Sequence, residues 1–172
     1  MSDPRSEAPV ELISGSVEET QIFGERLGRL LRPGDVVALH GELGSGKTTL
    51  IQGLARGLGH DPAGVSSPTF VIMREYPGVV PLMHIDGYRL EGAPSAAGLD
   101  FELMFSTQKV TVIEWAERFS GVLPEDRLEL RLAHLSLNRR RLTVSAYGPR
   151  ANGIVAEVIR QPVAQPANPP TG

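Results

Sequence analysis

The sequence predicts an α/β domain in which helices flank a mixed, partly parallel central sheet. Apolar runs of strand length alternate with stretches of helical periodicity over most of the 172 residues. Towards the C-terminus, the stretches 127–132 and 140–146 alternate apolar and polar residues, which is typical of a half-exposed antiparallel pair. Length and composition favour one domain, which we place at residues 9–160, with flexible tails at 1–8 and 161–172.

The N-terminal half supplies strands and helices in alternation. A short strand is predicted at 10–13, and Ser16 with Glu19 has the spacing of a capping box that begins a helix. Pro33 ends that helix, and a second strand follows at 36–39. After a glycine-rich loop comes another helix with Gly59 as its C-cap, and its apolar face consists of Leu50, Ile51, Leu54 and Leu58.

The second half is richer in strands. Apolar segments predict strands at 70–73 and 79–85, on either side of a Pro-Gly turn, and a buried strand at 110–113. The stretch 92–105 is ambiguous, and only its second half has a helical pattern. This order of elements favours a sheet with both parallel and antiparallel neighbours.

The composition excludes several classes of function. The chain has no cysteine, which excludes a disulfide scaffold, a thiolate nucleophile and a thiolate zinc site. No apolar run approaches the roughly 18 residues that span a bilayer, so we expect a cytoplasmic protein without a membrane partner. The net charge is −3, although residues 127–172 are rich in arginine. The charge pattern leaves open whether the Arg139–Arg141 cluster faces nucleic acid, a protein partner or water.

A glycine-rich loop carries the strongest functional signal. Residues 41–48 match the pattern G-x-x-x-x-G-K-[ST] at every fixed position, between a predicted strand and a predicted helix. Glycines let the backbone turn its N–H groups inwards, and the helix N-terminus favours a phosphate. Lys47, one of two lysines beside 15 arginines, supplies a compact cation. The sequence therefore predicts a P-loop NTPase whose nucleotide contacts come from Glu42, Leu43, Gly44, Ser45, Gly46, Lys47, Thr48 and Thr49.

A P-loop NTPase also needs an acidic residue at the end of a neighbouring strand, which holds Mg²⁺ or orients water. Glu114 follows the apolar run 110–113 in the Walker B manner, and Asp86 follows a similar run at 82–85. Because the hydroxyl of Thr48 is the usual further ligand, we expect Thr48, Glu114 and Asp86 to serve the metal.

Two further residues are candidates for the same site. The loop 66–70 lies where switch segments place a hydroxyl near the γ-phosphate, which makes Thr69 the candidate; an ordinary turn is the alternative. Trp115 either packs in the core or forms a wall beside the nucleotide, and in a regular strand it would point away from Glu114. The predicted catalytic residues are Lys47, Thr69, Asp86 and Glu114.

Other P-loop functions are weighed on sequence grounds. A small-molecule kinase is the runner-up, but Arg127 and Arg131 lie in a strand-like stretch and form no evident lid. A GTPase is disfavoured because the chain contains no N-K-x-D motif. A nucleotide-gated binding module without catalysis is disfavoured by the intact Lys47, Thr48 and acidic pair.

Four segments together resemble the TsaE (YjeE) family of small bacterial P-loop ATPases, in that family's order and rough spacing, from about residue 14 to 144. They are the loop 41–49, Ser67-Pro-Thr-Phe70, His84-Ile-Asp-Gly-Tyr-Arg89 and Val112-Ile-Glu-Trp115.

The resemblance implies a subunit that binds ATP and Mg²⁺ and is required for threonylcarbamoyl modification of the adenosine at position 37 of tRNAs that read codons beginning with A. It implies TsaB and TsaD as partners, with TsaD as the transferase, and contact with tRNA only through that complex. It further implies ATP hydrolysis that is weak without the partners and resets the complex between turnovers. The implied roles are phosphate contact for Lys47, Mg²⁺ for Thr48 and Glu114, metal or hydrolytic water for Asp86, a switch for Thr69, and a position beside the site for Trp115.

The chain departs from the family pattern at two places. Gly87 stands where family members usually have an apolar residue between the aspartate and the tyrosine. The segment 91–98 is rich in glycine, alanine and proline, and it lacks most of the acidic helical residues expected there. These departures bear on a local helix and its contacts and leave the nucleotide motifs intact.

Overall fold

The computed structural model of the chain describes residues 7–66, 73–90 and 99–160. Within these ranges the strands are β1 (Val10–Ser14), β2 (Val36–His40), β3 (Met73–Tyr76), β4 (Leu82–Asp86), β5 (Val110–Glu114), β6 (Arg127–His134) and β7 (Arg140–Tyr147). The α-helices are α1 (Val17–Leu30), α2 (Lys47–Gly57), α3 (Phe101–Met104) and α4 (Pro149–Arg160). The predicted tails stay predictions, because residues 1–6 and 161–172 lie outside the described part.

The strands form one seven-stranded sheet in the order β1-β7-β6-β2-β5-β4-β3. The four central strands, β6, β2, β5 and β4, are parallel, and antiparallel strands extend the sheet on both sides. This confirms the predicted α/β fold with a mixed, partly parallel sheet flanked by helices. Because parallel strands present their carboxyl ends at one edge, the loops after β2, β4 and β5 meet there.

Helix α1 packs closely against helix α2, which begins at the glycine-rich loop. Glycines on the two helices face each other so closely that a Cβ added to Gly24 or Gly28 would meet the backbone of α2, and one added to Gly53 or Gly57 would meet the backbone of α1. Larger residues would push the helices apart. At the start of α1, Ser16 accepts a hydrogen bond from the Glu19 N–H (3.1 Å), as the capping pattern predicts.

Two strand predictions differ from the structure in their bounds. The strand expected at 79–85 begins only at Leu82, because the chain bends at 78–80 before Pro81. The strand expected at 70–73 is described only from Met73, where β3 begins and continues to Tyr76; residues 70–72 lie outside the described part. Helix α3 is a single turn within the ambiguous stretch 92–105.

Helix α4 was missed by sequence reasoning, although the sequence contains its signal. Its buried residues recur at helical spacing (Ala151, Ile154, Val155 and Val158), and Pro149 stands at its first position. The carboxylate of Asp126 accepts hydrogen bonds from the N–H groups of Arg150 and Ala151, both at 3.0 Å, and so caps the helix from a distant loop. No described helix combines the length and the apolar character needed to cross a membrane.

Candidate nucleotide-binding site

The glycine-rich loop joins the end of β2 to the start of α2 at the carboxyl edge of the parallel strands. Its backbone takes conformations that only glycine adopts freely, with φ of 151° at Gly41 and 103° at Gly46. A Cβ on Gly41 would lie 2.6 Å from Oγ of Ser45 and 2.8 Å from the carbonyl oxygen of Leu132. Glycine at this position therefore keeps the loop coiled tightly over the start of α2.

Lys47, the first residue of α2, folds its side chain back over the loop and is only 6% exposed. Its Nζ donates hydrogen bonds to the carbonyl oxygens of Gly41 and Glu42, the latter at 3.0 Å. The same ammonium lies 4.5 Å from the ring centroid of Trp115, within the range of a cation–π contact. The cation is thus held in place by carbonyl oxygens and an aromatic face.

Burial lowers the pKa of Lys47 from its ordinary value, because removing an ammonium from water disfavours its charged form. Nearby carboxylates oppose this effect by favouring the charge. They belong, in decreasing order of influence, to Glu114, Glu117, Asp86 and Glu42. A bound phosphate would act in the same direction, since it adds negative charge beside the ammonium.

The two predicted acids end neighbouring parallel strands. Asp86 closes β4, Glu114 closes β5, and the two residues are direct partners in the register of the sheet. Their side chains are almost fully buried, at 4% and 3% exposed. Oδ1 of Asp86 accepts a hydrogen bond from the N–H of Tyr88 (2.9 Å), and Oε2 of Glu114 lies 2.9 Å from Nε2 of His84. The fold therefore holds both carboxyl groups beside the loop.

Trp115 does not follow the alternation of a regular strand. Strand β5 ends at Glu114, and Trp115 has a left-handed backbone with φ 54°, the one positive φ outside glycine in the described residues. The alternation of a regular strand therefore does not apply to Trp115, and Trp115 and Glu114 line the same cavity. Its ring packs against Tyr88 with 5.2 Å between the centroids.

A cavity of about 430 Å³ lies over the loop, and most of the residues predicted to bind nucleotide or metal line it. Of the predicted set, Glu42 does not line it but holds Lys47 through its carbonyl oxygen. Thr69 lies outside the described residues. The lining consists of Leu43, Gly44, Ser45, Gly46, Lys47, Thr48, Thr49, Asp86, Tyr88, Glu114, Trp115 and Arg140.

Comparisons with known proteins show which family the chain belongs to. A family model described as "Threonylcarbamoyl adenosine biosynthesis protein TsaE" matches residues 14–142, which include the loop and both acids. The chain belongs to the TsaE family. The resemblance expected from the four sequence segments is thereby confirmed.

Individual relatives in the TsaE family cover most of the chain. The protein named tRNA threonylcarbamoyladenosine biosynthesis protein TsaE from Bacillus subtilis (strain 168) is 40% identical over 144 residues, 83% of this chain and 89% of the relative. The protein of the same name from Streptomyces coelicolor is 46% identical over 136 residues, 74% of this chain and 90% of the relative. The crystal structure of YdiB from Bacillus subtilis superposes with a TM-score of 0.75 at 32% identity, over 89% of this chain and 95% of that one.

One departure from the TsaE pattern has a structural reason. A Cβ on Gly87 would lie 2.7 Å from a ring carbon of Phe119 and 2.9 Å from the carbonyl oxygen of Trp115. The N–H of Gly87 also bonds to the carbonyl oxygen of Glu114 (2.9 Å), which draws the two chain segments together. A larger residue here would require the turn after Trp115 to move. The other departure, the segment 91–98, lies outside the described residues.

Sequence reasoning missed a cluster of ionisable side chains directly before the loop, in which Glu117 is partly exposed. His40, the last residue of β2, has Nδ1 3.2 Å from Glu117 and Nε2 3.2 Å from Glu129. The nearby His40 side chain is the main cause that lowers the pKa of Glu129 to about 2; Arg127, 2.8 Å away, acts in the same direction, although burial opposes the shift. The pairing of β2 with β6 brings His40 to Glu129, and no local pattern reveals that contact.

The oxygen atoms around the cavity fit Mg²⁺. Thr48, Asp86 and Glu114 all line the cavity and supply a hydroxyl and two carboxyl groups. Mg²⁺ is commonly bound by one or two carboxylates together with substrate phosphates. In the described part of the chain, no group of three or more His, Cys, Asp or Glu side chains forms a metal cage of protein ligands alone. The donor set thus suits a metal that arrives with a nucleotide.

Proposed function

We propose that this TsaE family member binds ATP with Mg²⁺ and hydrolyses it slowly, as a cytoplasmic subunit of the system that forms threonylcarbamoyladenosine at position 37 of tRNAs reading codons beginning with A. It acts with TsaB and TsaD, and it meets tRNA only through that complex. Membership of a family of threonylcarbamoyladenosine biosynthesis proteins supports the pathway. The nucleotide chemistry rests on the site itself.

One observation carries the ATPase part of the proposal: a P-loop lysine and two strand-end carboxyl groups line a single cavity. Lys47 stands at the start of α2, while Asp86 and Glu114 stand at the ends of adjacent strands. This is the set that phosphoryl transfer requires, with a cation for the phosphates and acids for the metal and the water.

Each group has a distinct role in the proposal. The N–H groups at the start of α2 and the ammonium of Lys47 bind the phosphates and offset their charge. Thr48 and Glu114 hold Mg²⁺, which when bound neutralises charge that develops on the phosphate oxygens. Asp86 supports the metal or orients the attacking water, and Thr69 is proposed to sense the γ-phosphate. Trp115 lies beside the phosphates and packs against Lys47.

The proposal is tested by replacing TsaE in Bacillus subtilis with this chain and measuring threonylcarbamoyladenosine in tRNA by mass spectrometry. We expect the chain to maintain the modification and to be recovered with TsaB and TsaD when ATP is present. Lys47→Ala should abolish the modification. Lys109→Ala is the matched control, because Lys109 is the chain's other lysine and pairs with Glu75 at 2.8 Å, away from the cavity.

The outcomes separate the two parts of the proposal. Absence of the modification together with no recovery of either partner would contradict the assigned pathway. Full modification with Lys47→Ala would instead contradict the nucleotide-dependent role.

A further inference from the structure

Arg140 lies on the side of the phosphate loop that is opposite the acids. In the sheet, β5 and β4 with Glu114 and Asp86 follow β2 on one side, and β6 and β7 follow it on the other. Arg140 is the first residue of β7, and it lines the same cavity as the acids. A nucleotide whose terminal phosphate and metal lie at the acids has room to extend its other end towards Arg140.

The positive charge of Arg140 has no carboxylate partner within the described residues. Its Nη1 donates only to backbone carbonyl oxygens, those of Ser136 (2.9 Å), Leu137 (3.3 Å) and Arg139 (3.0 Å). Arg127 and Arg150, by contrast, are each paired with a carboxylate. Carbonyl oxygens orient a guanidinium but do not cancel its charge, so Arg140 adds positive potential to the cavity.

The carbonyl contacts leave the phosphate-binding edge of the guanidinium unused. Nε of Arg140 is shielded from water and has no acceptor. It packs beside the loop, since a Cβ built on Gly46 would lie 3.8 Å from it. A buried N–H without an acceptor is unfavourable, and an oxygen anion would relieve it. The edge formed by Nε and Nη2 is the one that arginine uses for bidentate contact with phosphate.

We propose that Arg140 is a second phosphate-binding cation, which contacts the phosphate nearest the nucleoside while Lys47 serves the others. The assignment of Arg140 adds a contact to the proposed nucleotide site and rests on that proposed function. The hairpin between β6 and β7 holds the guanidinium at the cavity before the ligand arrives, and a small shift of the side chain that opens Nε would complete the contact. Arg140 is therefore distinct from Arg139 and Arg141, whose side chains are exposed.

The test compares Arg140→Gln, Arg140→Lys and the control Arg141→Gln for binding of ATP·Mg²⁺ and ADP·Mg²⁺ by calorimetry. We expect Arg140→Gln to weaken both nucleotides by the same factor, about tenfold, because both carry the phosphate nearest the nucleoside. Arg140→Lys should recover part of the affinity, and Arg141→Gln should bind as the unchanged protein does. In hydrolysis, KM should rise while kcat at saturating ATP stays constant.

Several results would overturn the proposal. Affinity in Arg140→Gln within twofold of the unchanged protein contradicts it, as does a loss confined to ATP, which would move the contact to the γ-phosphate. A lowered melting temperature of Arg140→Gln with unchanged nucleotide affinity would show that Arg140 only stabilises the hairpin between β6 and β7. If the unchanged protein binds neither nucleotide, the proposed function itself fails, which is a different result from a loss specific to Arg140.

A measurement on the unchanged protein tests whether Arg140 contacts the nucleotide, even if Arg140→Gln does not fold. The arginine Nε–H signals are followed by ¹H–¹⁵N NMR, and the signal of Arg140 is assigned by its absence from Arg140→Lys. Addition of ADP·Mg²⁺ should shift this signal and slow its exchange with water. An unchanged signal at saturating ADP·Mg²⁺ contradicts the proposal.

Discussion

Nε2 of His84 lies 2.9 Å from Oε2 of Glu114, and both side chains are buried. The contact crosses from β4 to β5, so a residue on one strand orients the carboxyl group at the end of its neighbour. A buried carboxyl group with a hydrogen-bond donor on one oxygen keeps its other oxygen aimed in a defined direction. His84 is thus a positioning residue for the acid that we assign to Mg²⁺.

Removing the His84 donor should slow hydrolysis more than it weakens binding. We expect His84→Leu to lower the single-turnover rate about tenfold, because Glu114 loses one of the contacts that orient it, while ATP affinity changes less than about twofold. His84→Gln retains a donor and should recover part of the rate. Equal rates in the leucine variant and the unchanged protein would limit His84 to a packing role.

Lys47→Ala should eliminate nucleotide binding without unfolding the protein. Burial disfavours the charged ammonium and lowers its pKa, so we expect the variant to lose nucleotide binding and to remain folded. Calorimetry with ATP·Mg²⁺ and urea unfolding measure the two effects. Lys109→Ala, the control, should bind ATP normally; retained binding in Lys47→Ala would contradict the phosphate-loop assignment.

Glu114→Ala should reduce Mg²⁺-dependent hydrolysis by about 100-fold or more and weaken ATP binding by a smaller factor. In the proposed site the carboxyl group would serve the metal and the developing charge, whereas most of the nucleotide binding would come from the loop N–H groups and Lys47. Rates and affinities measured over a range of Mg²⁺ concentrations check this. An unchanged turnover would remove Glu114 from the catalytic residues.

Trp115 should report nucleotide binding by its fluorescence. It is the chain's only tryptophan, and its ring lies 4.5 Å from the Lys47 ammonium. When phosphates draw the ammonium towards them, the charge beside the indole changes, so the emission should change and saturate with ATP. The change in emission should be absent in Lys47→Ala. If the emission of the unchanged protein does not change on addition of ATP, this contradicts the position of Trp115 beside the phosphates.

Acid should destabilise the cluster of His40, Glu129 and Arg127. Because the pKa of Glu129 is about 2 in the folded protein and near 4.5 unfolded, its contribution is fully present above pH 4.5. It is lost as the pH falls from about 4.5 to 2, by at most about 3 kcal/mol. Urea unfolding across this range should show a shallower pH dependence for Glu129→Gln than for the unchanged protein.

The phosphate loop, the two acids and the central strands could be predicted from the chain alone because their signals are local. The loop pattern at 41–48 lies within one turn and one helix start, and β2, β4 and β5 contain short apolar runs, two of which are followed by the acids. Each acid was predicted at the end of its strand, and the register of the sheet makes the two residues direct partners.

The orientation of Trp115, the contact between His84 and Glu114 and the position of Arg140 depended on the tertiary structure. Trp115 turns into the cavity because β5 ends one residue earlier and the next backbone is left-handed. His84 reaches Glu114 through the pairing of β4 with β5, while Arg140 reaches the loop because β7 pairs with β6 beside β2. Strand register and order arise from packing between residues far apart in the chain, and a local pattern does not contain that information.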